Sequence, residues 1–496
     1  MAGGTYACAV NQPEPRARTI DSAPESAALS PVYRHRWWIL AVMLAAEIMD
    51  LIDATVVNVA GPVLQAELGA SPTDLQWVIG GYALTLGAGL ILGGRLGDRF
   101  GRRTMFLVGL VSFTAASLLC ALAFSPESLI AFRLLQGFAA AILLPQGFGL
   151  LRAAFPPAEI GKAFAVFGPV FGLAGIAGPI IGGALTEADI LGTGWRAVFL
   201  VNIPVGIAAI VIAWRLLPRT PGDRGIRIDP LGTLIIAVSS AALVWPLVQG
   251  REAGWPAWCF LLIAASIGGF ALFALQQRRL VARGGVPLVT PGIFTRRSYT
   301  VGLAGIALFF TGMVGLQLVL TLFLQLGQGF SANGAGLSNL PLAIGSAIGG
   351  AVSGALLADR LGRSVLQIGA LVQAAGAGAL WLGLSAATSG AEFSIWPLVP
   401  GLLIGGIGTG LVVAALFNVV LAAVADDEVG SASGVLTAVQ SIAGATGVAL
   451  FGSVFFDAAL AGDPVGGFQL AIGLQIVLYT VFLALSPLFP MRARAE

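Results

Sequence analysis

The chain has 496 residues, 57% of them hydrophobic and 10% charged, with a formal net charge of +2. Soluble domains carry about 45–50% apolar and about 25% charged residues, so this composition excludes a soluble protein and predicts an all-α polytopic membrane protein. At about 20 apolar residues per span, the length holds roughly twelve to fourteen helices.

Residues 1–36 are polar, contain four prolines and lack an apolar segment, so they are expected to be a disordered cytoplasmic tail and not a cleaved leader. The first apolar run, Trp37 to Pro62, predicts a spanning helix at about 38–61 that carries Glu47, Asp50 and Asp53. A carboxylate in the bilayer core costs a few kcal/mol, about 2.5–3.5 on the mildest scale, so three within seven residues imply use. Runs at about 75–94, 104–123, 127–151, 160–185 and 196–215 complete a six-helix bundle over 37–216. Two more, at about 230–249 and 257–276, form an insert over 217–298 with basic linkers on both sides. The remaining six, at about 299–326, 334–357, 365–386, 395–423, 430–456 and 468–489, make a second bundle over 299–489, followed by a short tail, 490–496.

Charge placement supports fourteen helices with both termini in the cytoplasm. With that topology 23 of the 26 basic residues fall on the cytoplasmic side, Arg196 and Arg251 fall outside, and Arg133 lies within a helix. The chain also repeats itself. Gly93–Arg103 (GGRLGDRFGRR) matches Gly354–Ser364 (GALLADRLGRS), so that Asp98, Arg99, Gly101 and Arg102 align with Asp359, Arg360, Gly362 and Arg363. Both copies follow the second helix of a half once the two inserted helices are set aside. The expected architecture is therefore two parallel six-helix bundles facing across a central cavity, plus two inserted central helices.

Four stretches carry the chemistry. The turn after helix 2 holds Arg95, Asp98, Arg99 and Arg102; its arginines alone would be an ordinary cytoplasmic anchor, but an acid there can pair with neighbouring arginines or a facing helix N-terminus in only one arrangement of the halves. Helix 5 carries Gly168, Pro169, Gly172, Gly178, Pro179, Gly182 and Gly183. Small residues four apart permit close packing, and two prolines free backbone carbonyls and permit kinks. Arg133 either snorkels to the nearby interface or pairs within the membrane. At 1.5 Å per residue it lies about 9 Å below the outer edge and Asp53 about 12 Å below it, so the two can meet. The three acids, at i, i+3 and i+6, share a sector of about 120°. One arginine cannot neutralise all three in hydrocarbon, so at least one is expected to exchange protons.

These stretches resemble the major facilitator superfamily, and within it the fourteen-helix drug:proton antiporters. GRLGDRFGRR looks like the signature turn between helices 2 and 3. DATVVNVAGP (Asp53–Pro62), IAFRLLQGFAAAILLP (Ile130–Pro145) and GPVFGLAGIAGPIIGG (Gly168–Gly183) are similar to the motifs of helices 1, 4 and 5, and WRAVFLVNIPVG (195–206) opens helix 6 in the same manner. Gly61 departs from the usual leucine, and Ser364 stands where the first copy has Arg103. The resemblance implies the major facilitator fold and proton-coupled export of small amphiphilic drugs or antibiotics by alternating access. It implies Asp53, which lies in the helix 1 motif, as the foremost proton-coupling residue; matching depth adds Arg133 to that set, and position alone adds Asp50 and Glu47. Arg95, Asp98, Arg99, Arg102, Asp359, Arg360 and Arg363 would form a cytoplasmic gate, and helix 5 the antiport element.

Proton-coupled uptake, or dedicated export of one endogenous metabolite, would use the same fold. An enzyme is not expected: there is no His/Cys cluster, HExxH or P-loop, and the sole lysine, Lys162, lies in a loop. Cys8, Cys120 and Cys259 have no paired spacing, which predicts neither disulfide nor metal site. The expected partners are a small amphiphilic substrate, protons and the lipid bilayer of the cell membrane, with no cofactor, no nucleic acid and a monomeric state.

Overall fold

The computed structural model describes residues 1, 35–155, 178–189, 192–219, 221–225, 228–285, 287–353, 361–388, 393–421, 424 and 429–489. Among them the regular structure is all helical. The first group comprises α1 (Arg36–Leu68), α2 (Pro72–Phe100), α3 (Arg102–Ala121), α4 (Pro126–Ala154), α5 (178–188) and α6 (Gly194–Leu216). Then come α7 (Pro230–Ala253) and α8 (Ala257–Ala282). The last group is α9 (Arg297–Gly327), α10 (Ala332–Val352), α11 (Arg363–Ala387), α12 (Val399–Leu421), α13 (Val429–Leu460) and α14 (Pro464–Leu485). Twelve of these, all but α1 and α5, contain stretches long and apolar enough to cross a membrane among the described residues. The chain is a multi-pass membrane protein. The 33-residue α1 is a continuous helix whose apolar run is interrupted by its three acids, and most of the predicted fifth helix lies outside the described residues.

Local chemistry sets the helix ends. Ser71 and Asp74 form a capping box around Pro72 at the start of α2, and Ser125 and Ser128 do the same around Pro126 for α4. The stretch predicted as a loop after helix 2 is mostly helix: α2 continues to Phe100 and α3 begins at Arg102. Gly101 alone makes the turn, at φ +92°, a backbone conformation that a side chain would strain. Gly362, its counterpart in the repeat, has φ +49°. One glycine in the left-handed half of the map at each turn is the physical content of that motif position.

Backbone contact between helices explains much of the remaining glycine. A Cβ on Gly93 of α2 would lie 1.9 Å from the Ala141 carbonyl oxygen of α4, and one on Gly349 of α10 would lie 2.1 Å from that of Ile407 on α12. Helix α6 is broken at Val201, where Pro204 supplies no N–H to the preceding turn, and restarts at Asn202.

One end of the bundle carries the arginine turns. At the opposite end the two groups meet closely: Gln325 Nε2 of α9 donates to the Val59 carbonyl of α1 (2.8 Å), and the Asn333 N–H of α10 donates to Glu187 Oε1 of α5 (2.9 Å). Helix α7 lies along the seam between α2 and α13, its Val244 and Val248 buried with Leu84, Ala445 and Ala449. Ser453 of α13 donates to the Leu247 carbonyl of α7 and accepts from Gln76 of α2, which joins all three helices.

Candidate functional site

The three acids of α1 occupy distinct surroundings. Asp53 is fully buried, and its carboxylate is held by three side chains from two other helices. Arg133 Nη1 on α4 donates to Oδ2, while Gln136 Nε2 on α4 (2.8 Å) and Asn202 Nδ2 on α6 (3.0 Å) donate to Oδ1. Ser117 Oγ on α3 accepts from both amides, at 2.8 Å from Gln136 and 3.3 Å from Asn202. The Gln136 carbonyl oxygen accepts from Arg133 Nη1 (2.8 Å) and from the Cys120 thiol (3.5 Å).

Arg133 is 1% exposed, which excludes snorkelling. Its Nε donates to the Val78 carbonyl (3.0 Å), and its guanidinium carbon lies 4.2 Å from the centre of the Tyr82 ring and 5.7 Å from that of Phe199. The Tyr82 hydroxyl donates to Asp50, so one tyrosine touches both the arginine and the second acid. Glu47 is 8% exposed and has no hydrogen-bond or ion-pair partner among the described residues. The stripe thus divides: Asp53 is sealed inside the first group of helices, Asp50 is capped by a hydroxyl, and Glu47 is unpaired.

Such a cluster can hold a charge in hydrocarbon. A buried ion pair is tolerated only where further hydrogen bonds satisfy both partners, and here every Asp53 oxygen and several guanidinium donors are engaged. Ser117, Gln136, Asn202 and Tyr82 join the site only through packing across helices. Gln136 and Asn202 stand in the quoted motifs RLLQG and VNIPVG, so position within a motif was the available signal; Ser117 and Tyr82 had none.

At the arginine-rich end, Asp98 is about a third exposed and pairs with Arg102 four residues on (2.8 Å). Arg95 donates to the carbonyls of Pro287 (2.7 Å) and Leu288 (3.4 Å), in the linker after α8. The Asp223 N–H, in the linker before α7, donates to the Asp98 carbonyl (2.9 Å). Both linkers of the inserted pair therefore grip the end of α2. They are tied together in turn by Gln277 of α8, which donates to Asp229 Oδ2 (2.7 Å) and accepts from the Val289 N–H (3.3 Å). Arg99 lies over the Phe100 ring, and Arg363 donates to the Pro487 carbonyl (2.7 Å) after α14. Asp359 and Arg360 lie outside the described residues, as do Gly168, Pro169 and Gly172. Of the helix 5 set, Gly178 and Gly182 pack on Thr55 and Val56 of α1, and the Pro179 carbonyl faces Gly336 of α10.

The family model of the Major Facilitator Superfamily matches residues 43–448. The chain belongs to that family of transporters. Among family members it is 45% identical over 434 residues to a "Probable actinorhodin transporter" of Streptomyces coelicolor, covering 87% of this chain and 74% of that one. It is 38% identical to the puromycin resistance protein pur8 of Streptomyces alboniger (88% and 85% covered) and 32% identical to the tetracenomycin C resistance and export protein of Streptomyces glaucescens (84% and 75%). Among solved structures of the fold, the POT family transporter PepTSo superposes with a TM-score of 0.65 at 15% identity, covering 90% of this chain and 97% of that one, a likeness of fold alone.

Proposed function

We propose that the protein exports small amphiphilic compounds, antibiotics among them, in exchange for protons. The observation that carries this reading is the fully buried Asp53 carboxylate with its arginine and two amide donors, inside a chain whose relatives are named for antibiotic transport and resistance. A charge so deep in hydrocarbon is expensive, and the arrangement is useful if the carboxylate gains and loses a proton as the halves rearrange.

The arginine-rich end is assigned to the cytoplasm, because 23 of the 26 basic residues then lie on that side. The arrangement described, with α1 and α5 packed on α9 and α10 at the other end, is then closed to the outside. Asp53 is the proton site, Arg133 its charge partner, and Asp50 and Glu47, nearer the cytoplasmic end of α1, serve the substrate path. Relatives whose names each carry one compound support a dedicated exporter as one form of this activity. Expression in a pump-deficient host, scored against varied antibiotics and dyes with and without an uncoupler, tests this. Resistance confined to one chemical class and abolished by the uncoupler is expected; resistance indifferent to the uncoupler contradicts proton coupling.

The cytoplasmic gate is formed by the end of α2 and both linkers of the inserted pair. Arg95→Ala removes two hydrogen bonds to the second linker and leaves the Asp98–Arg102 pair in place. Arg95 is only partly buried, so in its absence water replaces much of the about 1.5–3 kcal/mol that a hydrogen bond from a charged donor contributes. The Arg95→Ala protein should therefore fold normally and transport several-fold more slowly, measured as initial efflux rate at matched protein level.

A further inference from the structure

On the arginine-rich face, away from the buried acids, an open groove of about 550 Å³ lies between the first turn of α3 and the last turn of α6. It is lined by Arg103, Trp214, Arg215, Leu217, Pro218 and Arg219. Among the described residues no carboxylate lines it, and the nearby Asp98 is already engaged by Arg102. Among the described residues neither Arg215 nor Arg219 is paired with an acid. Arg103 Nη2 donates to the Trp214 carbonyl, which fastens α3 to α6 and fixes the floor of the groove. Three guanidinium groups around one opening repel each other, and an anion bearing several acceptor oxygens relieves that repulsion with charge-assisted hydrogen bonds.

The walls above the groove say what carries the anion. Val108 and Val111 on α3 and Ile207 and Val211 on α6 are 43–54% exposed, and the Trp214 indole is 69% exposed. At 1.5 Å per residue the four aliphatic residues lie about 5–15 Å from the groove along their helices, at matching depth. A ligand with a charged head in the groove would rest its hydrocarbon on them, with Trp214 at the boundary where tryptophan is favoured. The groove is also far larger than one phosphate ion requires.

We propose that this groove binds the headgroup of an anionic phospholipid, its phosphodiester held by Arg103, Arg215 and Arg219 and its acyl chains lying along α3 and α6. The neighbouring Arg102 holds Asp98, so a bound lipid abuts the gate turn and steadies the junction of α3 and α6. Basic pockets between helices at the cytoplasmic leaflet suit such headgroups.

The test uses the full chain in detergent and counts retained lipid by native mass spectrometry. Dioleoyl phosphatidylglycerol, dioleoyl phosphatidylcholine and inorganic phosphate are added separately. The variants are Arg215→Gln with Arg219→Gln, and Arg278→Gln with Arg279→Gln, which removes two exposed arginines from the end of α8 on the same face. The groove variant should need about tenfold more phosphatidylglycerol for half occupancy. The α8 variant should match the wild type, and phosphatidylcholine should bind all three weakly. Thermal melting in phosphatidylcholine should be the same for all three, so that loss of lipid cannot be loss of fold. Equal loss in both variants would mean a general charge effect, and unchanged retention in the groove variant would remove the site. Thermal protection by inorganic phosphate equal to that by phosphatidylglycerol would identify a soluble anion instead; each of these results overturns the proposal.

Discussion

Replacing Asp53 with Asn should reduce resistance and drug efflux to the level of cells without the transporter. The substitution keeps the size of the side chain and removes its charge, so Arg133 remains 1% exposed without a counter-ion. Breaking one side of a buried pair costs about 3–5 kcal/mol, so the single variant should also melt at a lower temperature. Stability and function can be separated with a double variant. Asp53→Asn with Arg133→Gln removes both charges and leaves Gln136, Asn202 and Ser117 to satisfy the polar atoms. Melting should recover much of the lost stability, while efflux should stay at background. If the pair were only a structural tie, the double variant would regain both.

The second large effect concerns the fold that holds this pair in place. Gly93→Ala should strongly lower the yield and melting temperature of the protein, because its Cβ would sit 1.9 Å from the Ala141 carbonyl oxygen and 3.1 Å from the Ile142 Cα, neither of which can move without parting α2 from α4. Overpacking of this kind costs about 1–3 kcal/mol or more. The same separation would stretch the bond from Gln146 Nε2 to the Gly93 carbonyl (2.8 Å) and shift Arg133 relative to Tyr82. Gly94→Ala is the matched control. Its nearest neighbour would be Pro145 Cβ at 3.9 Å, so it should melt within a degree or two of the wild type. Both melts can be read from one purification series by fluorescence-detected chromatography after heating.

The helices were legible in the sequence because hydropathy and arginine placement act on whole segments, and a segment averages out local error. The repeat was legible because Gly101 and Gly362 serve the same turn. The extent of α2 was not: glycines and charges read as a loop, whereas Gly93 faces the backbone of α4 and Gly97 faces Gln146, which keeps the run helical. At the site, the Asp53–Arg133 pair could be expected from rise per residue, since both lie at similar depth. Spacing also put the three acids in one sector, yet only contacts across helices separate them. The hold of Gln136 and Asn202 on Asp53 depends on the packing of α4 and on the restart of α6 at Asn202, which no single helix encodes. The grip of both inserted linkers on the end of α2 is of the same kind: it runs through backbone carbonyls and N–H groups, which leave no mark in residue identity.

Asp53 is the proposed carrier of the exchanged proton. Inside-out vesicles with an acidified lumen, loaded with a pH-sensitive dye and supplied with drug from outside, test that role most directly. Wild-type vesicles should accumulate drug while the lumen becomes more alkaline, and an uncoupler should stop both. Vesicles containing the double Asp53→Asn, Arg133→Gln variant, at matched levels of folded protein, should show neither. Drug accumulation by that variant that still follows the imposed gradient and still alkalinises the lumen would contradict the account.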